Sequence, residues 1–195
     1  MTRRLFIAVD LTAEIKARLR GVQALPEFEG LRVRWTPPEQ THLTLVFLGA
    51  TDERAIAPIG QAICPAVAGL ETFSLTLGGF GAFPDLARPK VIWCGVDGGK
   101  DQLERLRSAI VTALGAVVPQ TDAGPFAPHL TIGRVRRDAQ AAERRMVGSA
   151  VAHAETMPGA AWRVNQAVLY ESVPLSNGVR HTPLLSAPLR GAIRV

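Results

Sequence analysis

Two tripeptides, His42-Leu43-Thr44 and His129-Leu130-Thr131, carry the side chains best suited to chemistry in this sequence. Side chains alternate between faces along a strand, so each histidine shares a face with the threonine two positions on. Leu43, Leu45, Leu130 and Ile132 then point the other way, toward apolar packing. An imidazole ionises near neutral pH and can give or take a proton. A threonine hydroxyl can donate to a non-bridging phosphate oxygen, where negative charge builds in a transition state. Two of each around one phosphate would open a cyclic phosphodiester. One imidazole deprotonates water, the other protonates the departing ribose oxygen, and either histidine can fill either role. Aspartates and histidines nowhere cluster at metal-ligand spacing, so no metal and no cofactor are expected.

A lone His-x-Thr means little, because a single strand histidine is more often structural than catalytic. Repetition changes that. From His42 to His129 is an offset of 87 residues, and other identities fall in the same register without a gap. Val9-Asp10 falls on Val96-Asp97, Arg18-Leu19-Arg20 on Arg105-Leu106-Arg107, and Pro38 on Pro125. If the two halves face each other about a pseudo-twofold axis, both histidines and both threonines converge on one cleft.

The elements that must position these residues repeat too. Leu5–Val9 and Val91–Val96 read as buried strands, each ending at an aspartate. Ile15, Leu19 and Val22 then form a helical stripe, with Thr12 as N-cap; Leu103, Leu106, Ile110 and Leu114 form its counterpart. A Pro/Gly-containing connection leads to each His-Leu-Thr strand. Ile56, Ile59, Ile63 and Val67 suggest a further helix interrupted by Pro58 and Pro65, matched by residues 139–154. Segments 72–77 and 162–170 read as strands. Each half is thus a β-α-β-α-β unit, over about 5–77 and 91–170, within one domain spanning 1–195. The tail, 171–195, carries the turn signal Asn177-Gly178 and is expected to add a hairpin. The stretch 78–84, Gly-Gly-Phe-Gly-Ala-Phe-Pro, reads as a loop between the halves. A phosphate cradle there would lack the lysine and following helix of a P-loop.

Composition limits the function classes. Hydrophobic residues make up 47% and charged residues 20%, a globular balance that excludes extended disorder. The net charge of +5 favours anionic partners such as nucleic acid. The apolar run after Arg3-Arg4 ends at Asp10, too short for a signal sequence, and no run approaches membrane-spanning length. Cys64 and Cys94 lie in apolar contexts and are expected as buried thiols. The expectation is a cytoplasmic protein that works as a monomer, without membrane contact.

Longer motifs around the histidines resemble the two-histidine (2H) phosphoesterases, in particular the LigT-like RNA 2′,3′-cyclic phosphodiesterases formerly called 2′-5′ RNA ligases. Arg4–Ala8, Arg34–Gly49 around the first motif, Pro89–Trp93, Phe126–Arg134 around the second and Glu171–Leu184 carry the resemblance. It implies an α+β, bilobal fold whose two pseudo-symmetric lobes, with mainly antiparallel sheets, face a central cleft. It also implies RNA ends or nucleotides bearing a 2′,3′-cyclic phosphate as partners, and a 2′-phosphate product. His42 would be the proton donor and His129 the proton acceptor, assisted by Thr44 and Thr131. Three positions depart from the family pattern. Val46 stands where a lysine is frequent on the face of His42, Gly124 where an arginine is frequent, and His181 where a tyrosine is frequent.

Other residues have two readings each. Arg134 recurs in the family as a candidate substrate contact, but strand parity sends it to the face opposite His129, where it can instead make a buried structural pairing. Phe126 can stack on a base or fill the core. Arg34 and Trp35 can line the cleft entrance, with Trp35 better suited to packing, and His153 reads as a surface or capping residue. Two rival functions share these residues. One is a reversible 2′-5′ ligase or 2′,5′-phosphodiesterase using the same four groups. The other is a non-catalytic RNA-binding module, which would be expected to have lost one of the four.

Overall fold

The apolar runs become strands of one antiparallel sheet in a computed structural model, which describes residues 1–118, 126–154, 160–175 and 178–190. The strands are β1 (Thr2–Val9), β2 (Val33–Trp35), β3 (Leu43–Asp52), β4 (Phe73–Phe83), β5 (Val91–Asp97), β6 (His129–Val135), β7 (Ala161–Val164), β8 (Gln166–Leu175) and β9 (Gly178–Pro188). Among the described residues, four α-helices accompany them: α1 (Ala13–Gln23), α2 (Ile56–Ala68), α3 (Lys100–Leu114) and α4 (Ala141–His153). Thr12 caps α1 as expected, its hydroxyl accepting from the Ile15 amide. The stripes Ile15-Leu19-Val22 and Leu103-Leu106-Ile110-Leu114 are fully buried. Pro58 does not interrupt α2, because first-turn amides need no intrahelical partner.

Sheet order is β7-β4-β5-β6-β3-β1-β8-β9, with β2 added beside β6. At the centre, β3 and β6 share the single pair Leu43–Leu130. Two lobes open from this seam, and equivalent strands stand at equivalent distances from it: β3 and β6, β1 and β5, β8 and β4. The third strand of each repeat has therefore crossed over. β4 pairs with β5 and β8 with β1, which the order of elements along the chain did not disclose. Sequential strands joined by a short connection pair readily, and that favours β4 next to β5.

Four local readings need correction. The stretch 78–83 is the second half of β4, not a loop, and its glycines lie in the sheet. Segment 162–170 divides at Asn165 into β7 and β8, and β2 arises inside what read as a plain connection. Of the cysteines, Cys94 is buried but Cys64 only partly so. The tail hairpin is β8–β9, paired from Gln166–Pro188 to Leu175–Gly178; Asn177, Gly124 and Pro125 lie outside the described residues.

Each catalytic-candidate strand contains an extra residue just beyond its His-Leu-Thr, and β3 has a second one at Leu48. The β1–β3 register jumps from Ala8–Thr44 to Ile7–Val46, bulging at Leu45. The β5–β6 register jumps from Trp93–Thr131 to Ile92–Gly133, bulging at Ile132. Leu45 and Ile132 are repeat equivalents, again 87 residues apart. A bulge resets the alternation of faces beyond it. Val46 consequently turns into the core at 1% exposure, and Phe47, 56% exposed, takes the face of His42. On β6 the same reset returns Arg134 to the face of His129, contrary to ideal parity. Gly133 next to it looks inward, where a Cβ would meet Trp35 and Val33.

Side chains from the opposite repeat hold both bulged carbonyls. Arg107 on α3 donates from Nε to Leu45 O at 3.2 Å, and Gln23 on α1 donates from Nε2 to Ile132 O at 3.0 Å. Gln23 also donates to Thr36 O at 2.7 Å. Replacing Gln23 with leucine keeps the volume but removes the side-chain donor from Thr36 O and from Ile132 O, the latter keeping only the Thr36 amide at 3.0 Å. We expect Gln23→Leu to lose about 1–3 kcal/mol of stability in urea denaturation, the usual penalty for such groups. An unchanged midpoint would mean that the Ile132 bulge does not depend on this bond.

Candidate active site

The seam pair positions the four candidate residues. Continuing the antiparallel register from Leu43–Leu130 sets His42 across from Thr131 and Thr44 across from His129. Leu43 and Leu130 are fully buried on the core side, so the four polar residues share the opposite, partly exposed face. Both histidines and both threonines thus meet at one place, two from each repeat.

The imidazoles are oriented identically. His42 Nδ1 bonds Gln40 O at 3.0 Å, and His129 Nδ1 bonds Ala127 O at 2.7 Å, each two residues upstream. A carbonyl only accepts, so each Nδ1 carries the proton of its bond. Nε2 is left as the working nitrogen on both rings, whether it is to hold a proton or take one.

Their surroundings differ. His42 stacks on Phe6 at 4.6 Å between ring centroids, and Phe6 in turn stacks on Tyr170 at 5.3 Å. His181 stands edge-on to His42 at 4.9 Å. Burial, then the nearby His181 and more weakly His129, hold His42 down at about 4, against an ordinary 6.5. The influence of His129 on His42 is itself a sign that the two share a site. His129 meets the edge of Phe83 at 4.9 Å, with Trp93 at 6.4 Å.

A polar cluster supports the His42 side. Tyr170 donates its hydroxyl to Asp10, and burial together with that carboxylate raises its pKa. The backbone amide of His181 donates to Gln40 Oε1 at 3.0 Å, tying β9 to the residue that holds His42. These residues border a cavity of about 220 Å³ that also reaches Lys16 and Glu39. Sequence reasoning missed Phe6, Tyr170 and Gln40. Asp10 carried a signal, since it repeats as Asp97 at the end of the equivalent strand.

The remaining candidates divide. Arg34 and Arg134 lie directly opposite each other across β2 and β6, both exposed. Phe126 lies under the Arg107 guanidinium at 4.8 Å and packs against the core. Trp35 packs on Phe28 at 5.2 Å. His153 bonds Ser149 O at the end of α4, outside the cleft. Among the described residues, no group of three or more His, Cys, Asp or Glu is placed to hold a metal ion. No described helix is long and apolar enough to cross a membrane.

A two-lobed antiparallel sheet presenting a His-x-Thr pair from each lobe defines a two-histidine phosphoesterase. The chain belongs to the 2′-5′ RNA ligase superfamily, whose family model matches residues 13–173. A Thermotoga maritima protein named RNA 2′,3′-cyclic phosphodiesterase is 36% identical over 133 residues, covering 68% of this chain and 70% of that protein. A Geobacillus stearothermophilus protein of the same name is 34% identical over 94% of this chain and 58% of its own length. The crystal structure of TT0787 from Thermus thermophilus superposes with a TM-score of 0.76 at 28% identity, covering 97% of this chain and 99% of that one. E. coli LigT, crystallised with 3′-AMP, shares the fold at a TM-score of 0.76 and 24% identity, over 96% of this chain and 98% of that one.

The depressed His42 has a consequence for stability. An unfolded chain protonates this histidine below about 6.5, whereas the native protein resists until about 4. Stability from neutral His42 is therefore complete above 6.5 and is lost as pH falls through 4. Native protein should lose about 3 kcal/mol more than a His42→Gln variant between pH 7 and pH 4. Denaturation curves at both pH values measure this, and parallel losses would contradict the burial of His42.

Proposed function

We propose that this protein hydrolyses RNA or nucleoside 2′,3′-cyclic phosphodiesters to 2′-phosphomonoesters by metal-independent acid–base catalysis. The carrying observation is the pair of imidazoles whose Nδ1 atoms are both committed to backbone carbonyls beside two threonine hydroxyls. The names of the similar proteins from T. maritima and G. stearothermophilus support this substrate class.

In this reading His129 Nε2 takes a proton from water as the water oxygen attacks phosphorus. The P–O3′ bond breaks and His42 Nε2 delivers its proton to the departing O3′. Without an anion beside it, His42 is neutral at pH 7, because burial disfavours its charged form. An anionic phosphodiester beside Nε2 opposes that burial and raises the proton affinity, so His42 loads its proton with the substrate. Thr44 and Thr131 donate to the non-bridging oxygens from opposite sides of the phosphate.

Arg34 and Arg134 suit a different part of the substrate. Like charges directly opposite across strands repel, and an anion between them relieves this. They stand four to five positions along the strand from His129, on the order of 13 Å, given the rise per residue. That distance suits them to a phosphate further along an RNA rather than the scissile one. Phe126 acts indirectly, by supporting Arg107 and with it the Leu45 bulge. We take the protein to act as a monomer in the cytoplasm.

His42→Ala and His129→Ala should each reduce turnover about a hundred- to ten-thousand-fold on a nucleoside 2′,3′-cyclic phosphate while remaining folded. Thr44→Ala and Thr131→Ala should lose less, since one donor remains. Excess chelator should leave native activity intact, and product analysis should find the phosphate on O2′. Loss of activity in chelator with rescue by a divalent metal would refute the mechanism.

A further inference from the structure

Beside His129 the sheet is bare where side chains would ordinarily stand. Gly95 pairs with His129 across β5 and β6, and Gly81 pairs with Trp93 across β4 and β5. A Cβ at Gly81 would fall 2.2 Å from the six-membered ring of the Trp93 indole. The missing side chain lets the indole lie against β4, and Gly95 adds no side chain beside it. Phe83 stands next to this plane at 5.5 Å between ring centroids and turns its ring against His129. Gly79, Phe80, Phe83, Trp93, Gly95 and His129 border a cavity of about 450 Å³. The charged groups on its border, Asp97 and Lys100, neutralise each other at 2.7 Å. The cavity on the His42 side is about 220 Å³ and is lined by Asp10, Lys16, Glu39 and His181.

A planar aromatic floor, glycines beneath it and a neutral rim make a poor phosphate site. They make a good one for a flat heteroaromatic ring, which stacks on indole through its face whatever its edge carries. The slot begins at His129 itself, so its occupant is one nucleoside away from the reacting phosphate at most. We propose that this slot receives the nucleobase of the nucleotide whose ribose bears the cyclic phosphate, stacked on Trp93. The inference rests on the cyclic phosphodiester reading of the cleft and adds what holds the far end of the substrate. Stacking rather than edge recognition implies that all four bases are accepted, with purines bound better than pyrimidines because they cover more of the indole. The glycines of β4, which resemble a phosphate cradle in sequence, serve a base platform in this account.

The test compares adenosine 2′,3′-cyclic phosphate with 1-O-methylribose 2′,3′-cyclic phosphate, which lacks a base. Native protein should prefer the adenosine substrate in kcat/KM by roughly ten- to a hundred-fold, and the preference should appear in KM. Trp93→Ala should bring the ratio close to one, and Trp93→Phe should keep most of it. A native protein that does not distinguish the two substrates would overturn the proposal, as would a folded Trp93→Ala variant that distinguishes them equally well. If native protein turned over neither compound, the phosphodiesterase reading would have failed instead. The slot would then be decided by fluorescence excited at indole wavelengths. Quenching by adenosine 2′-monophosphate, absent with inorganic phosphate and lost in Trp93→Phe, upholds it; no quenching overturns it.

Discussion

One extra residue in each of two strands decides which side chains meet in the cleft. Without the bulges at Leu45 and Ile132, ordinary alternation would turn Val46 and Gly133 toward the cleft and Phe47 and Arg134 into the core. A bulge leaves a carbonyl out of the ladder, and that carbonyl needs a donor. Here Arg107 donates to Leu45 O, and Gln23 donates to Ile132 O beside the Thr36 amide, each side chain coming from a helix of the other repeat. The repeats are thereby interlocked, since each holds the bulge that re-aims the residues beyond the other's His-Leu-Thr. Exchange of β4 and β8 between the lobes makes the same connection through the sheet.

Within this near-symmetric frame the two histidines have been made unequal. Identical bonds from Nδ1 to a carbonyl give them the same orientation. The aromatic layer of Phe6 and Tyr170, closed by His181, covers only His42 and lowers its proton affinity. His129 instead opens onto the glycine-floored slot. The repeat supplies two equivalent groups, and the unlike neighbouring strands give them different surroundings. Under the proposed mechanism, this difference in surroundings suits the two histidines to different roles.

Much of this was legible in the sequence because it rests on short-range pattern. The offset linking His42 to His129, the helical stripe from Ile15 to Val22 and the N-cap at Thr12 all follow from periodicity or local chemistry. What escaped depends on long-range pairing. Parity counting misplaced Val46 and Arg134 because a bulge is a property of two strands in register, not of one. Gly78–Phe83 read as a loop because glycine signals turns, whereas here it makes room for Trp93 in a neighbouring strand. Phe6 and Tyr170 passed as strand residues, since nothing local says that β1 and β8 lie side by side under His42. His181 stood out only as a departure from a family pattern, and its place against His42 follows from the β8–β9 register.

The central claim is that residues from two separate repeats act as one unit on one phosphate. A kinetic double-mutant cycle with His42→Ala and His129→Ala, on protein shown to be folded, tests it most directly. Groups that act in a single step are not additive, so the double variant should fall little below the slower single variant. Losses that multiply would mean that the histidines contribute independently. A folded His129→Ala protein with full activity would make the second motif a structural echo of the first and contradict the account.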